Sequence, residues 1–239
     1  MQRPKFTTGN LYHIYNRGTD KRDIFMDESD YLRASHNLWE FNDQNPAPAN
    51  HILRSRKQPS LEVRLPTVAV QKMERPPREL LVKIHAFVLM KNHYHLILEQ
   101  IVEDGISKFM QKFGTGYTNY FNQKHERNGV LFQGKFKAIH IDNDPYFLHL
   151  PHYIHCNPLD YLDYNWREGG LKDINNALNF LKNYRWSSFL DYAGIKNFPS
   201  VTYRKLLTEG LSKDWKAGMR RWLSEFNEEN LPEYLEKWQ

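Results

Sequence analysis

Leu11 to Asn16 (LYHIYN) alternates apolar and polar positions and runs into Arg17-Gly18, the pattern of a first strand closed by a turn. Asp27 to Asp43 changes period: an acidic first turn (Asp27, Glu28, Asp30) precedes a broad apolar face of Tyr31, Leu32, Leu38, Trp39 and Phe41, which predicts a helix. Two apolar runs, Leu81 to Met90 and His93 to Gln100, are separated only by Lys91-Asn92 and predict a buried hairpin. Asp104 to Lys124 returns to helical spacing through Ile106, Phe109, Met110, Phe113, Tyr117, Tyr120 and Phe121, with Gly114 and Gly116 weakening its middle. Leu131 to Ile141 reads as a last strand. Asn143-Asp144-Pro145 then opens a helix that runs to Asn157 and stops at Pro158.

The order strand, helix, hairpin, helix, strand, helix predicts an α+β fold. It is a ferredoxin-like (RRM-like) antiparallel sheet with two helices on one face and the other face open to a substrate. Between about 44 and 80 the periodicity lapses. Half of the chain's 12 prolines fall there, among Arg54, Arg56, Lys57, Arg64, Lys72, Arg75 and Arg78, so this stretch reads as a basic insertion with a short strand around Leu61 to Val70. Residues 1–160 are then the core. Residues 161–239, polar and helical with aromatic anchors at Trp186, Phe189, Tyr192 and Trp222, are a C-terminal extension.

The 239 residues, 40% of them hydrophobic, suffice for a real core. The single cysteine, Cys156, excludes an internal disulfide. Residues 1–10 lack the apolar core of a signal peptide, and no run approaches the roughly 18 apolar residues of a membrane span, so a cytoplasmic, nucleoid-associated protein without membrane contact is expected. A net charge of +5 favours a polyanionic partner, because neutralising phosphates releases condensed counterions. An aromatic content of 14% adds rings on which bases can stack.

Two groupings carry chemistry. His93-Tyr94-His95 opens a predicted strand, where side chains alternate, so both imidazoles point one way and Tyr94 the other. Such a pair can chelate a divalent ion; it can equally be the polar mouth of a hairpin. Tyr153 and Asn157 lie four apart on the last helix and share a face, where a phenol and an amide could meet one ion, although Asn before Pro is also an ordinary helix terminator. Pro151 predicts a kink or restart in that helix, since an interior proline costs about 3 kcal/mol. Cys156 beside His155 points about 100° away from it and does not form a nucleophile–base pair. His85 is expected to be structural. The candidate contacts to nucleic acid are Arg17, Lys21 and Arg22 after the first strand, Lys112, Lys124 and Arg127 around the second helix, and Lys135 with Lys137 on the last strand.

Four stretches in order, HAFVLMKNHYHLILE (85–99), GYTNYFNQKHERNGVLFQGKFKA (116–138), YIHCNP (153–158) and RWSSFLDYAG (185–194), resemble the HUH single-tyrosine transposases, closest to the REP-associated tyrosine transposase branch. The resemblance runs from about Leu11 to Gly194 and leaves out the proline-rich insertion. It implies a ferredoxin-like core and a divalent ion, Mg2+ or Mn2+. It further implies cleavage of single-stranded DNA beside hairpin, repetitive palindromic elements through a 5′-phosphotyrosine intermediate. By that resemblance His93 and His95 match the metal histidines and Tyr153 the nucleophile, while Asn157 stands where a polar side chain, more often glutamine, completes the metal site. A monomer or a homodimer is compatible with it. Two other readings stay open on the residues alone: a catalytically silent, domesticated nucleic-acid-binding protein, and a zinc hydrolase for which no third ligand presents itself.

Overall fold

The computed structural model describes residues 3–46, 77–211 and 214–226. The strand expected at Leu61 to Val70 and most of the basic insertion lie outside them. β1 (Leu11–Arg17), β2 (Val82–Met90), β3 (His93–Gln100) and β4 (Lys137–His140) form one antiparallel sheet in the order β2-β3-β1-β4. α1 (Glu28–Glu40) follows β1 and α2 (Gly105–Lys124) follows β3, the ferredoxin-like succession. α1 starts where Asp27, in extended conformation, accepts hydrogen bonds from the backbone of Ser29 and Asp30. In α2, Phe109, Phe113, Tyr117 and Phe121 recur every four residues and are all buried, so Tyr117 and Phe121 are core.

Both helices cover one face of the sheet, packing on Ile14, Phe87, Leu89, Tyr94, Leu96 and Leu98. The second face, expected to be open, is largely covered. α3 (Asp144–Cys156) crosses it, setting Tyr146, Leu150, Tyr153 and Ile154 against Ala86, Val88, Met90 and Ile97. The short helices that follow, α4 (Trp166–Gly169), α5 (Ile174–Asn183), α6 (Phe189–Tyr192), α7 (Lys205–Gly210) and α8 (Trp215–Glu225), add Trp166, Leu181, Phe189, Trp215 and Met219 to the same cluster. β2 has apolar side chains on both faces. Its register shifts between Ile84 and Ala86, so Ile84 faces the α1/α2 side while Ala86, Val88 and Met90 face α3. The bulge thereby sends Val82 and Ile84 to the α1/α2 side, while alternation along the apolar run 86–90 supplies both faces. The outer edge of β2 is closed by residues 186–188: the Leu89 backbone donates to Trp186 and that of Ser188 to Phe87.

Two expectations change. The strand expected over Leu131 to Ile141 shrinks to Lys137–His140, because Gly134 is left-handed (φ 69) and turns the chain, while the Gln133 backbone donates to the Arg17 carbonyl. α3 runs unbroken through Pro151 rather than restarting there. Burying Leu150, Tyr153 and Ile154 is worth about 1.5–3 kcal/mol each, which outweighs the proline's cost.

Candidate active site

The hairpin of β2 and β3 turns at Lys91-Asn92 and places His93 at the first position of β3, opposite Met90 on one side and Arg17 on the other. His95 is two positions on, opposite Val88 and Tyr15. Alternation therefore sends His93, His95, Tyr15 and Arg17 to the α3 side. Tyr94 goes to the other side and packs edge-on against Phe113 and Phe132. The two imidazoles stand 5.1 Å apart between centroids and nearly perpendicular.

α3 brings the remaining groups. Asn143 caps its first turn by accepting from the Tyr146 backbone. At its other end Asn157 donates from Nδ2 to the Tyr153 carbonyl (2.8 Å), which leaves Oδ1 as the atom that meets His93. A cavity of about 330 Å³ opens between sheet and helix, lined by His93, His95, Tyr153 and Asn157 together with Tyr15, Asn16, Arg17 and Lys21. That volume is at the lower end of small-ligand sites. Arg17, Lys21, Lys91 and Arg167 on its wall face only two carboxylates, Asp23 and Asp160. Asp23 pairs with Lys91 at 3.0 Å and Asp160 pairs with Arg167. The surplus is positive and suits a phosphate.

Each imidazole has its Nδ1 occupied. His93 Nδ1 donates to Asn92 Oδ1 at 2.7 Å, so Nε2 is the nitrogen left for Asn157. His95 Nδ1 lies 2.9 Å from His13 Nε2, and His13 Nδ1 lies 2.8 Å from the Tyr146 hydroxyl. When His13 donates to Tyr146 it accepts from His95, and His95 then turns the lone pair of Nε2 to the cavity. Burial lowers His93 to about 4, with the positive charge of Arg167 pushing the same way. Burial also holds His95 well below the usual histidine value, assisted by His13, His93 and Arg167. Both rings are therefore neutral near pH 7, the form a metal requires. Two neutral imidazoles and an amide oxygen lining one cavity are donors that fit a divalent ion. Among the described residues no three of His, Cys, Asp and Glu gather into a metal-binding group.

The other expected contacts are dispersed. Arg17 and Lys21 are at the cavity, and Arg17 Nε donates to Gln133. Lys21 and its neighbour Asp20 both hold left-handed backbone (φ 57), a strained conformation for non-glycine residues. Gly18 beside them is required, since a Cβ there would stand 2.2 Å from the Arg22 carbonyl. Arg22 donates to the Thr19 carbonyl. Lys112 donates to the carbonyls of Asp43 and Asn45. Lys124 is held by Asp27, Ser29 and the buried Asp30. Arg127 reaches Asn122 and lies over the Phe121 ring. Lys135 and Lys137 line a separate depression with Arg3, whose guanidinium stacks on Phe136 at 4.0 Å. His85 is buried between Glu99 and the Tyr203 carbonyl, away from the cavity. His155 binds Ser188 Oγ, and Cys156 packs on Met219.

The residues that sequence reasoning missed are His13 and Tyr146 behind the pair, and Asp160, Tyr161, Tyr164 and Arg167 at the cavity. The Tyr161 hydroxyl accepts from the Lys91 backbone and so ties the hairpin turn to the chain after α3. Tyr164 is 80% exposed. His13 was legible as a polar residue on the same strand parity as Tyr15 and Arg17, whereas nothing in the local pattern distinguishes Arg167.

Residues 60–157 match the family model of IS200-like transposases, which bears out the resemblance drawn from the sequence motifs. No curated protein matches the chain. Among solved structures, a REP-associated tyrosine transposase bound to a REP hairpin is 16% identical with a TM-score of 0.48, over 85% of this chain and 90% of that one. The tRNA(His) guanylyltransferase of Saccharomyces cerevisiae is 11% identical with a TM-score of 0.32, over 98% of this chain and 85% of that one.

Proposed function

From the match of residues 60–157 to the IS200-like transposases, we propose that the chain is a metal-dependent endonuclease and strand transferase that cuts single-stranded DNA beside a hairpin through Tyr153. The observation that carries this reading is the single cavity that His93, His95, Asn157 and Tyr153 share, although they come from a strand and a helix 58 positions apart at their closest in the chain. His93, His95 and Asn157 would hold the divalent ion, Mg2+ or Mn2+, which when bound supplies Lewis-acid polarisation of the scissile phosphate.

Tyr153 is 3% exposed and set on a helix whose neighbours Leu150 and Ile154 are locked into the core, so its phenol is presented to the cavity with little freedom. Its oxygen attacks phosphorus in line. The O–P bond to tyrosine forms as the bond from phosphorus to the 3′-oxygen breaks; the phenolic proton passes to water, and the leaving 3′-oxygen takes one up. The 5′-phosphotyrosine ester keeps the bond energy of the diester, so a second 3′-hydroxyl can reverse the step and join new ends without a nucleotide cofactor. Arg17 and Lys21 at the mouth attract the strand that delivers the phosphate.

The test is a pool of single-stranded hairpins with randomised flanks, incubated with the full chain and Mg2+ or Mn2+. An adduct that survives denaturing electrophoresis is expected for the native chain and is absent in Tyr153→Phe. An adduct that persists in Tyr153→Phe would overturn the assignment of the nucleophile. Hairpin binding without an adduct under either ion would favour a silent binding protein on the same fold.

A further inference from the structure

Arg167 is an arginine almost withdrawn from water. Its side chain is 5% exposed, yet it stands on the cavity wall. It belongs to the chain beyond α3, within α4, and reaches back so that its guanidinium carbon lies 5.4 Å from the Tyr153 ring centroid and 4.7 Å from that of Trp166. One nitrogen, Nη1, pairs with Asp160. Nε is buried with no hydrogen-bond partner.

That pattern is poor for a residue whose only task is to brace the fold. A buried donor left unpaired costs about 1–3 kcal/mol, and Asp160 could satisfy two nitrogens of a guanidinium at once but engages only Nη1. Asp160 also accepts from Trp166 Nε1 at 2.8 Å, which divides its attention. Arginine's planar fork matches the non-bridging oxygens of a phosphodiester, and in this cavity the phosphate would lie between the imidazole pair and the phenol.

We propose that Arg167 is a catalytic residue that grips a non-bridging oxygen of the phosphate presented to Tyr153, exchanging part of its contact with Asp160 for that oxygen. The proposal rests on the reading of Tyr153 as nucleophile. Charge builds on the phosphoryl oxygens as Tyr153 attacks, so a cation fixed beside the phenol stabilises the transition state more than the ground state. Because the guanidinium is already ordered by Trp166 and Asp160, it need not be immobilised during the step.

Two measurements on the full chain test this. Inorganic phosphate is titrated into the 15N-labelled protein while the arginine Nε–Hε resonances are followed, with that of Arg167 assigned by its loss in Arg167→Lys. A saturable shift of this resonance is expected. Asp160→Asn, which removes the competing carboxylate, is expected to saturate at lower phosphate; a purely bracing role predicts no phosphate response in either protein, and that result would overturn the proposal. The second measurement is the rate of adduct formation on the hairpin pool. Arg167→Met is expected to slow it roughly 10- to 100-fold and Arg167→Lys less, with hairpin affinity changed by less than about threefold. Adduct formation at the native rate by folded Arg167→Lys and Arg167→Met sinks the role of Arg167 and leaves Tyr153 standing. No adduct from the native chain sinks the nuclease reading, and the phosphate titration then still decides whether Arg167 binds an anion.

Discussion

The most informative single change lies two hydrogen bonds away from His95, one of the residues proposed to hold the metal. Tyr146→Phe deletes one hydroxyl and keeps the ring that fills the core beneath α3. That hydroxyl is 2.8 Å from Nδ1 of His13, a ring 1% exposed whose other nitrogen is 2.9 Å from His95 Nδ1. Without it His13 has lost its reason to carry the proton on Nδ1. It can then protonate Nε2 instead and donate to His95, which moves the His95 proton to Nε2 and removes the lone pair from the cavity. Leaving a buried ring nitrogen unsatisfied costs about 1–3 kcal/mol, or roughly 2–12 °C of Tm for a chain of this size. The effect on metal affinity should be a loss of about 10- to 100-fold, as for other supporting hydrogen bonds to metal-binding histidines. Tyr192→Phe is the control, because it also deletes a buried hydroxyl, one that donates to the His85 carbonyl far from the cavity. Calorimetric titration with Mn2+ reads the affinity, and long-range 15N–1H spectra read each ring's tautomer. If Tyr146→Phe loses stability as Tyr192→Phe does but binds Mn2+ like the native chain, with His95 unchanged, the two-ring relay does not set the ligand.

Three further outcomes are expected. Asp30→Ala should destabilise the chain by about 1–3 kcal/mol in urea denaturation, since it leaves His125 and the Met26 backbone donor without their carboxylate while Lys124 keeps Asp27 and Ser29; a loss under 0.5 kcal/mol, on the order of a neutral surface change, would show that Asp30 is not structural. His152, stacked on Trp215 at 4.8 Å, is lowered to about 4 by burial above all, so the unfolded chain takes up a proton there first as pH falls. Its share of stability, up to about 3 kcal/mol, is whole above pH 6.5 and lost between 6.5 and 4, and His152→Phe should flatten that part of the stability–pH curve; an unchanged slope contradicts the assignment. Finally, Lys21→Ala should weaken single-stranded DNA binding and reduce the slope of log affinity against log salt by about 0.7, whereas Lys124→Ala, whose amine is already held by Asp27 and Asp30, should change the slope little and stability more; equal slopes for both variants would refute the distinction.

Local pattern was enough for most of the elements. Period-2 and helical spacing, the acidic start at Asp27, and Asn143 ahead of Asp144-Pro145 depend on neighbours in the chain, so β1, α1, the β2–β3 hairpin, α2 and α3 could all be read from the residues. Strand alternation also predicted that His93 and His95 share a face, and helical spacing that Tyr153 and Asn157 do. What the sequence left undecided depended on contacts between distant segments. The bulge at His85 is an offset in pairing between β2 and β3, and it decides that Val82 and Ile84 pack with α1 and α2 while Ala86, Val88 and Met90 meet α3. Pro151 stays helical because of what that helix buries, a quantity absent from the local sequence. Whether a lysine is free or spoken for is likewise a matter of partners: Lys124 and Lys21 look alike in the chain, and only folding brings Asp30 to one and the cavity to the other. Arg167 sits 74 residues from His93, in a stretch with no distinguishing pattern, and its place beside Tyr153 is decided by how the chain after α3 folds back over the sheet.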